Sequence, residues 1–434
     1  MIIKSSWPIR TSMTLASIVL LSACVVNSPP DQGGKGTQLS AGILIFGDSG
    51  YHLGHLGAGD YADKFSEEEF LQMEWQKWLA DKRPPEEFEA RPYAVSPATG
   101  GVVAASGIQQ ISIAMKNYCR DDAVCDFGLM LGDNIYPDGP GLAVAGISDE
   151  QRFKDMLSDP FGDLVSSPED YLSYVVLGNH DWNTSREGGF AEIEYIENSD
   201  SFYMDGPNYT VKPEAGKGDI ELFVIDTNMI LDAVTVLEDG LNDDGSEASS
   251  GEIEPSNYHT SPLAEAERAI PEWLEKSLRE SNARWKIVVG HHPIWSSSGS
   301  KFEQARVLRR LILPAMCRYA DAYIVGHEHT MEIHTDNCEA VLGEPTEKPL
   351  VQIVSGAASK QRPLNTNFMQ HQNQKYPEHK SIWAEGLLWG FAHMQIVGDV
   401  ATVTLLSVPD DGSSEHSMDF EYSFARRSQS KTAE

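Results

Sequence analysis

Five short apolar runs in this chain end in a glycine and then deliver residue types that bind metals. They are Ile43–Asp48, Leu129–Tyr136, Val175–Asp181, Ile287–Pro293 and Tyr323–His329. Each run reads as a buried strand, and each glycine lets the backbone turn sharply where the strand ends. Ligands gather at the carboxyl ends of strands in open α/β sheets, so five such ends imply one shared site. The candidate donors are Asp48, Asp133, Tyr136, Asn179, His291, His327 and His329. That set exceeds the four ligands of an ordinary zinc site. It suits two ions that share one carboxylate, and Asp133 has two oxygens to divide between them. Two ions roughly 3.5–4 Å apart stabilise both the attacking and the leaving oxygen of an in-line displacement.

The five motifs are GD-x-G at Asp48, GDN-x-Y at Asp133 to Tyr136, GNHD at Asn179 to Asp181, GH-x-P at His291, and GH-x-H at His327 and His329. In order and spacing they resemble the metallophosphoesterase (calcineurin-like) signature. More narrowly they resemble the purple acid phosphatases of the small tartrate-resistant type. Most metallophosphoesterases place a histidine two residues after the first aspartate, where this chain has Gly50. Tyr136 supplies a phenolate instead, a ligand that favours Fe(III). The resemblance implies a ferric site of Asp48, Asp133, Tyr136 and His329. It implies a divalent site of Asp133, Asn179, His291 and His327, holding Fe, Zn or Mn. Hard carboxylate and phenolate oxygens suit the ion of higher charge, while imidazole and amide donors suit the softer one. The implied reaction is phosphomonoester hydrolysis by a metal-bound hydroxide. His180 would contact the phosphate and protonate the leaving group, and Asp181 would orient His180.

One position departs from the family pattern. A second substrate-facing histidine is usual nine residues after the GH-x-P histidine, and Ser300 stands there. His52 or His55 could take its place. His292 reads as a wall residue, Glu328 as solvent-facing or salt-bridged, and Asp226 as a turn cap. A phosphodiesterase or nucleotide pyrophosphatase using the same metals is the rival enzymatic reading. The rival outside enzymes is a non-catalytic phosphate- or metal-binding lipoprotein.

The elements around these motifs alternate strand and helix patterns, which implies an α/β architecture. The resemblance narrows this to a four-layer αββα sandwich. Helical candidates are Glu67 to Ala80, Ile108 to Tyr118, Ala264 to Ser281 with Pro271 near its start, and Phe302 to Tyr319. One catalytic domain is expected over 39–424, since its ligands span Asp48 to His329. Insertions at 51–107 and 230–262 are expected to rim the active site. Residues 425–434 read as a polar tail.

At the N-terminus, Lys4 and Arg10 precede a short apolar segment that ends in Leu21-Ser22-Ala23-Cys24. This resembles a bacterial lipobox: residues 1–23 as signal peptide, a lipid on Cys24, and 24–38 as a flexible tether. Val25 rather than Asp follows the cysteine, which implies the outer membrane, facing the periplasm. Cys119, Cys125, Cys317 and Cys338 remain, an even count that suggests two disulfides. Three connectivities are possible, and the nearest pairing, Cys119–Cys125 with Cys317–Cys338, is favoured over the others and over free thiols. The formal net charge of −32 makes nucleic acid a poor partner. Small phosphoesters are the expected substrates. The acid concentrates at Glu238 to Glu254, which reads as a solvated face.

Overall fold

The computed structural model describes residues 39–56, 64–142, 146–165, 171–236, 240–248, 262–299 and 301–427. The signal segment, Cys24, the tether, Ser300, residues 428–434 and parts of both insertions lie outside the described residues.

Two seven-stranded sheets carry the site. The first runs, in spatial order, Ser417–Ala425, Val400–Val408, Trp389–Val397, Ser40–Phe46, Phe127–Leu131, Ser173–Val176 and Phe202–Tyr203. The second runs His379–Glu385, Met331–Asp336, Leu350–Ser355, Ala322–Val325, Trp285–Val289, Ile220–Val224 and Tyr209–Val211. The strands that lead into ligand loops lie side by side and parallel. Ile43 pairs with Phe127 and Gly128 with Ser173 in the first sheet, and Ile287 pairs with Ala322 in the second. Parallel neighbours end at the same edge of a sheet, so sequence motifs far apart in the chain emerge together.

Both faces of these central strands are covered. Ile43, Leu44, Ile45 and Phe46 are fully buried, as are Ile287, Val288, Val289 and Ile324. Residues of both sheets belong to one hydrophobic core, with helices on the outer faces in the αββα arrangement. Such continuous apolar runs are what strands buried on both sides require. Hydrogen bonds tie sheet to sheet: Ser355 Oγ donates to the Ile45 carbonyl, Tyr209 Oη to the Val175 carbonyl and Trp285 Nε1 to the Gly398 carbonyl, each at 2.9 Å.

The helices follow the sequence with instructive breaks. Glu67–Ala80 starts at a capping box, in which Ser66 accepts from Glu69 N and the Glu69 carboxylate accepts from Ser66 N. Ile108–Asp121 buries Ile108, Ile111, Met115 and Tyr118 along one stripe. The expected helix from Phe302 to Tyr319 is two, Phe302–Leu311 and Leu313–Tyr319. Pro314 lacks the N–H that would continue the first and is tolerated in the first turn of the second. For the same reason Pro271 opens Ile270–Glu280 as a helix separate from Pro262–Arg268.

The disulfides are Cys119–Cys125 and Cys317–Cys338, with Cα separations of 5.5 and 5.7 Å. The second closes a loop around the strand that feeds His327 and His329. Two expectations need correction. The described part of the acidic insertion is docked rather than merely solvated: Glu247 accepts from Tyr376 Oη at 2.9 Å and pairs with Lys375, while Asp243 pairs with Lys82 at 3.0 Å. The polar tail does not begin at residue 425, which belongs to the last strand. Arg427 also remains anchored, its backbone N–H donating to Asp321 at 2.6 Å and its guanidinium to the carbonyls of Met316, Cys317 and Ala320.

Candidate metal centre and active site

The sequence-predicted donors converge, and Asp133 divides them into two groups. Its Oδ2 accepts from Tyr136 Oη at 2.7 Å. That phenol oxygen also lies 3.3 Å from Asp48 Oδ1 and 3.4 Å from His329 Nε2, with His329 Nε2 3.3 Å from Asp48 Oδ1. The other oxygen, Asp133 Oδ1, lies 3.3 Å from His291 Nε2. His291 Nε2 is in turn 3.2 Å from His327 Nδ1. Asn179 Oδ1 is buried with no hydrogen-bond partner among the described residues. Buried polar atoms are normally satisfied, so an orphaned amide oxygen among converging imidazoles and carboxylates fits the donor set of a cation site.

Backbone geometry builds this cluster. Asp48, Asp133 and His327 themselves adopt left-handed backbone, with φ of 54°, 53° and 67°. Such values are uncommon for non-glycine residues and mark functional constraint. Among the five strand-end glycines only Gly132 turns with positive φ, at 89°. The expectation that each glycine makes the sharp turn is therefore corrected: the ligands carry much of the turn, and other glycines leave room. A Cβ on Gly178 would lie 2.3 Å from Asp133 Oδ1. Gly178→Ala is accordingly expected to displace the shared carboxylate and lower kcat about 100-fold, with loss of bound metal. Steady-state kinetics and metal analysis of the variant check this; wild-type values for both would contradict the shared role of Asp133.

Hydrogen bonds fix the donors. His291 Nδ1 meets the Leu131 carbonyl at 2.7 Å, which assigns the proton to Nδ1 and directs the Nε2 lone pair at the site. Asp48 Oδ2 accepts from His327 N at 2.7 Å. Burial pushes Asp48 well above the usual carboxylate range. Burial also disfavours charge on Asp133, but the nearby His291 and His180 outweigh it and hold that carboxyl well below its ordinary value. Burial pushes His327 and His329 far below the ordinary imidazole range, which keeps them neutral and able to donate lone pairs to a metal.

Asp181 does not orient His180. Its carboxylate accepts from the backbone N–H groups of Asn134 (2.9 Å), Ile135 (2.9 Å) and Gly178 (2.7 Å), so it braces two ligand loops against each other. The His180 ring instead places Nδ1 2.5 Å from the Pro137 carbonyl and 3.7 Å from Asp138 Oδ1. Asp138, itself accepting from Asn183 Nδ2 at 2.6 Å, is the neighbouring carboxylate that sequence reasoning missed. A GNHD motif places a carboxylate beside the histidine, but the helical turn at Asn179–Asn183 points it inward to the loop amides.

Several other side chains settle into structural positions. His55 is buried and bonds Asp155 at 2.9 Å, while His52 closes a turn onto Gly54 N. Neither lines the cleft, so neither takes the place of the missing histidine. His292 is buried and held by Thr227 Oγ1 at 2.8 Å, and it does not line the cleft. Glu328 is not solvent-facing: it is buried, accepts from Ser296 and Ser298, and pairs with Arg362. Asp226 caps the helix Thr227–Asp232 by accepting from Met229 N at 2.8 Å.

The donors open into a cleft of about 580 Å³, whose lining includes Asp133, Asn179, His180, His327 and His329. The first insertion forms its opposite wall, with Phe65, Met73, Lys77, Arg83 and Arg91. Lys360 and Arg362 enter from the segment that follows the strand Leu350–Ser355. Lys360 Nζ lies 4.3 Å from the Tyr136 ring centroid. These cations carry no motif and were not found by sequence reasoning.

Comparison with known proteins agrees with this geometry. The calcineurin-like phosphoesterase family model matches residues 108–331, more than half of the chain. Purple acid phosphatase 4 of Arabidopsis thaliana is 29% identical over 296 residues, 68% of this chain and 73% of that protein. Tartrate-resistant acid phosphatase type 5 of Oryctolagus cuniculus is 27% identical, over 64% of this chain and 75% of its own length. Among solved structures, GAP50, the anchor in the inner membrane complex of Plasmodium, shares the fold with a TM-score of 0.53, at 15% identity and 91% coverage of both chains. With its paired donor groups and this family match, the chain belongs to the calcineurin-like phosphoesterase family and is a hydrolase of phosphoric esters.

Proposed function

We propose that the protein is a binuclear-metal phosphomonoesterase. The observation that carries this reading is the division of the Asp133 carboxylate. One oxygen faces Tyr136 and the other faces His291. Asp48, Asp133, Tyr136 and His329 would hold Fe(III), and Asp133, Asn179, His291 and His327 a divalent Fe, Zn or Mn ion. Two ions held there would neutralise phosphate charge and supply an activated nucleophile. The chain's own part is positional. His180 lines the cleft floor, its Nδ1 engaged by Pro137, and its ring is available to meet the phosphate and pass a proton to the leaving oxygen. Burial of the donors excludes water from the charged cluster and strengthens each electrostatic contact.

The fold alone does not decide activity; a fold relative is described as a membrane-complex anchor. The complete donor set favours catalysis over a passive binding role. The test is metal analysis of the purified protein together with hydrolysis of para-nitrophenyl phosphate and bis(para-nitrophenyl) phosphate. Two metals per chain and faster turnover of the monoester are expected. Faster turnover of the diester would replace the proposal with a phosphodiesterase. Two bound metals with no turnover would leave a phosphate- or metal-binding protein.

A lipid anchor at Cys24, facing the periplasm from the outer membrane, is proposed on the lipobox-like sequence alone. Among the described residues no helix is long and apolar enough to cross a membrane. Mass spectrometry of the N-terminus of membrane-extracted protein would show the lipid or its absence.

A further inference from the structure

The cleft is cationic in a chain that is not. Against a formal net charge of −32, six cationic side chains among the described residues line the cleft: Lys77, Arg83, Arg91, Lys301, Lys360 and Arg362. Apart from Asp133, only three carboxylates share that lining: Glu74, Asp81 and Glu89. All three arginines do evident structural work, Arg362 through its pair with Glu328. Arg83 pairs with Asp81 and donates Nε to the Leu364 carbonyl at 3.2 Å, which staples the insertion to the segment after Lys360. Arg91 donates Nε to Glu74 Oε2 at 2.9 Å. Lys77 does neither. It sits in the last turn of the helix Glu67–Ala80 and is exposed to the cleft. Partial desolvation there, then repulsion from Arg91 and Arg362, holds its ammonium down to about 8. Like charges crowded in this way are costly unless an anion joins them.

A single phosphate at the metal centre does not call for cations on this wall. Lys77, Arg83 and Arg91 belong to the insertion, opposite the loops that carry the metal donors. On the same insertion, Phe65, Met73 and Val102 are partly exposed in the cleft and offer apolar surface to a carbon skeleton. The net negative charge of the chain repels anionic substrates at a distance, so local cations are needed to reverse the potential at the cleft.

We propose that the insertion wall at Lys77 is a second anion subsite, which receives a second phosphate group of a small organic bisphosphate whose first phosphate lies at the metal centre. This inference rests on the phosphomonoesterase reading above. The test compares para-nitrophenyl phosphate, fructose 6-phosphate and fructose 1,6-bisphosphate on the full-length protein. A charge-assisted contact predicts kcat/KM about tenfold higher for the bisphosphate than for fructose 6-phosphate. Lys77→Met is expected to bring that ratio close to one, and Lys77→Arg to restore it. Lys77 is exposed, so neither change threatens folding. Hydrolysis of para-nitrophenyl phosphate with no preference between the two sugar phosphates would overturn the subsite alone. A preference that Lys77→Met leaves intact would also overturn it. Failure on all three esters would instead overturn the phosphomonoesterase reading, and the subsite with it.

Discussion

His180→Ala is expected to lower kcat on glycerol 2-phosphate, whose alkoxide leaving group needs a proton, by roughly 10²- to 10⁴-fold, the range for loss of a positioned general acid, while both metals stay bound. The reason is placement. His180 lines the cleft, half open to solvent, whereas the proposed ligands His291, His327 and His329 are buried. Its hydrogen bond to the cluster comes from the backbone, His180 N donating to Asp133 Oδ1 at 2.9 Å, and alanine keeps that bond. The imidazole packs on the Tyr136 ring, with centroids 4.3 Å apart, and is held by the Pro137 carbonyl. A matched Asp138→Asn variant should lose far less, because Asp138 Oδ1 is 3.7 Å from the ring and Pro137 remains. Kinetics on a better leaving group separate the roles: a proton donor matters less as the leaving oxygen becomes more acidic. A parallel fall in metal content after His180→Ala would make His180 a ligand and remove the role proposed for it.

Tyr136→Phe is expected to abolish a visible absorption band of the oxidised, iron-loaded protein and to lower its iron content. A phenolate bound to Fe(III) absorbs in the visible through ligand-to-metal charge transfer, and phenylalanine offers no oxygen. The substitution is otherwise mild. The ring is fully buried and packs edge-on against Tyr51, with centroids 6.0 Å apart, so the apolar contact survives. The phenol oxygen meets Asp48, Asp133 and His329, and that is what the variant loses. Its absence removes one donor of the hard group and leaves carboxylate and imidazole, a set that suits divalent ions better. Spectra and metal analysis on one sample decide the matter. Colour that persists in the variant would contradict the ferric assignment.

The candidate donors were legible in the sequence because they follow the ends of five buried strands. An apolar run, a glycine and a ligand type are neighbours in the chain, so local pattern identifies them. The helix Glu67–Ala80 was legible for a similar reason, with Ser66 and Glu69 marking its start. What went wrong was direction. Asp181 follows His180 in sequence, yet the helical turn aims its carboxylate at the amides of Asn134, Ile135 and Gly178. Glu328 lies between two ligand histidines and was expected to face outward or form a salt bridge. The salt bridge forms, with Arg362, but it lies inward, where Ser296 and Ser298 also donate to the buried carboxylate. Side-chain direction at a tight turn depends on which partners the rest of the fold supplies.

By itself the sequence determined the α/β class, the pairing options of the four cysteines and the candidate donors that the fold brings together. All of these follow from short-range pattern or from residue count. Tertiary structure alone decided which carboxylate neighbours His180, that His52 and His55 stand away from the cleft, and that Lys77, Arg83 and Arg91 face Lys360 and Arg362 across it. Those cations are nearly 300 positions apart at the extremes and follow no periodicity. Charge acts through space rather than along the chain, so a potential built from distant residues has no sequence signature until the sheets bring its contributors together.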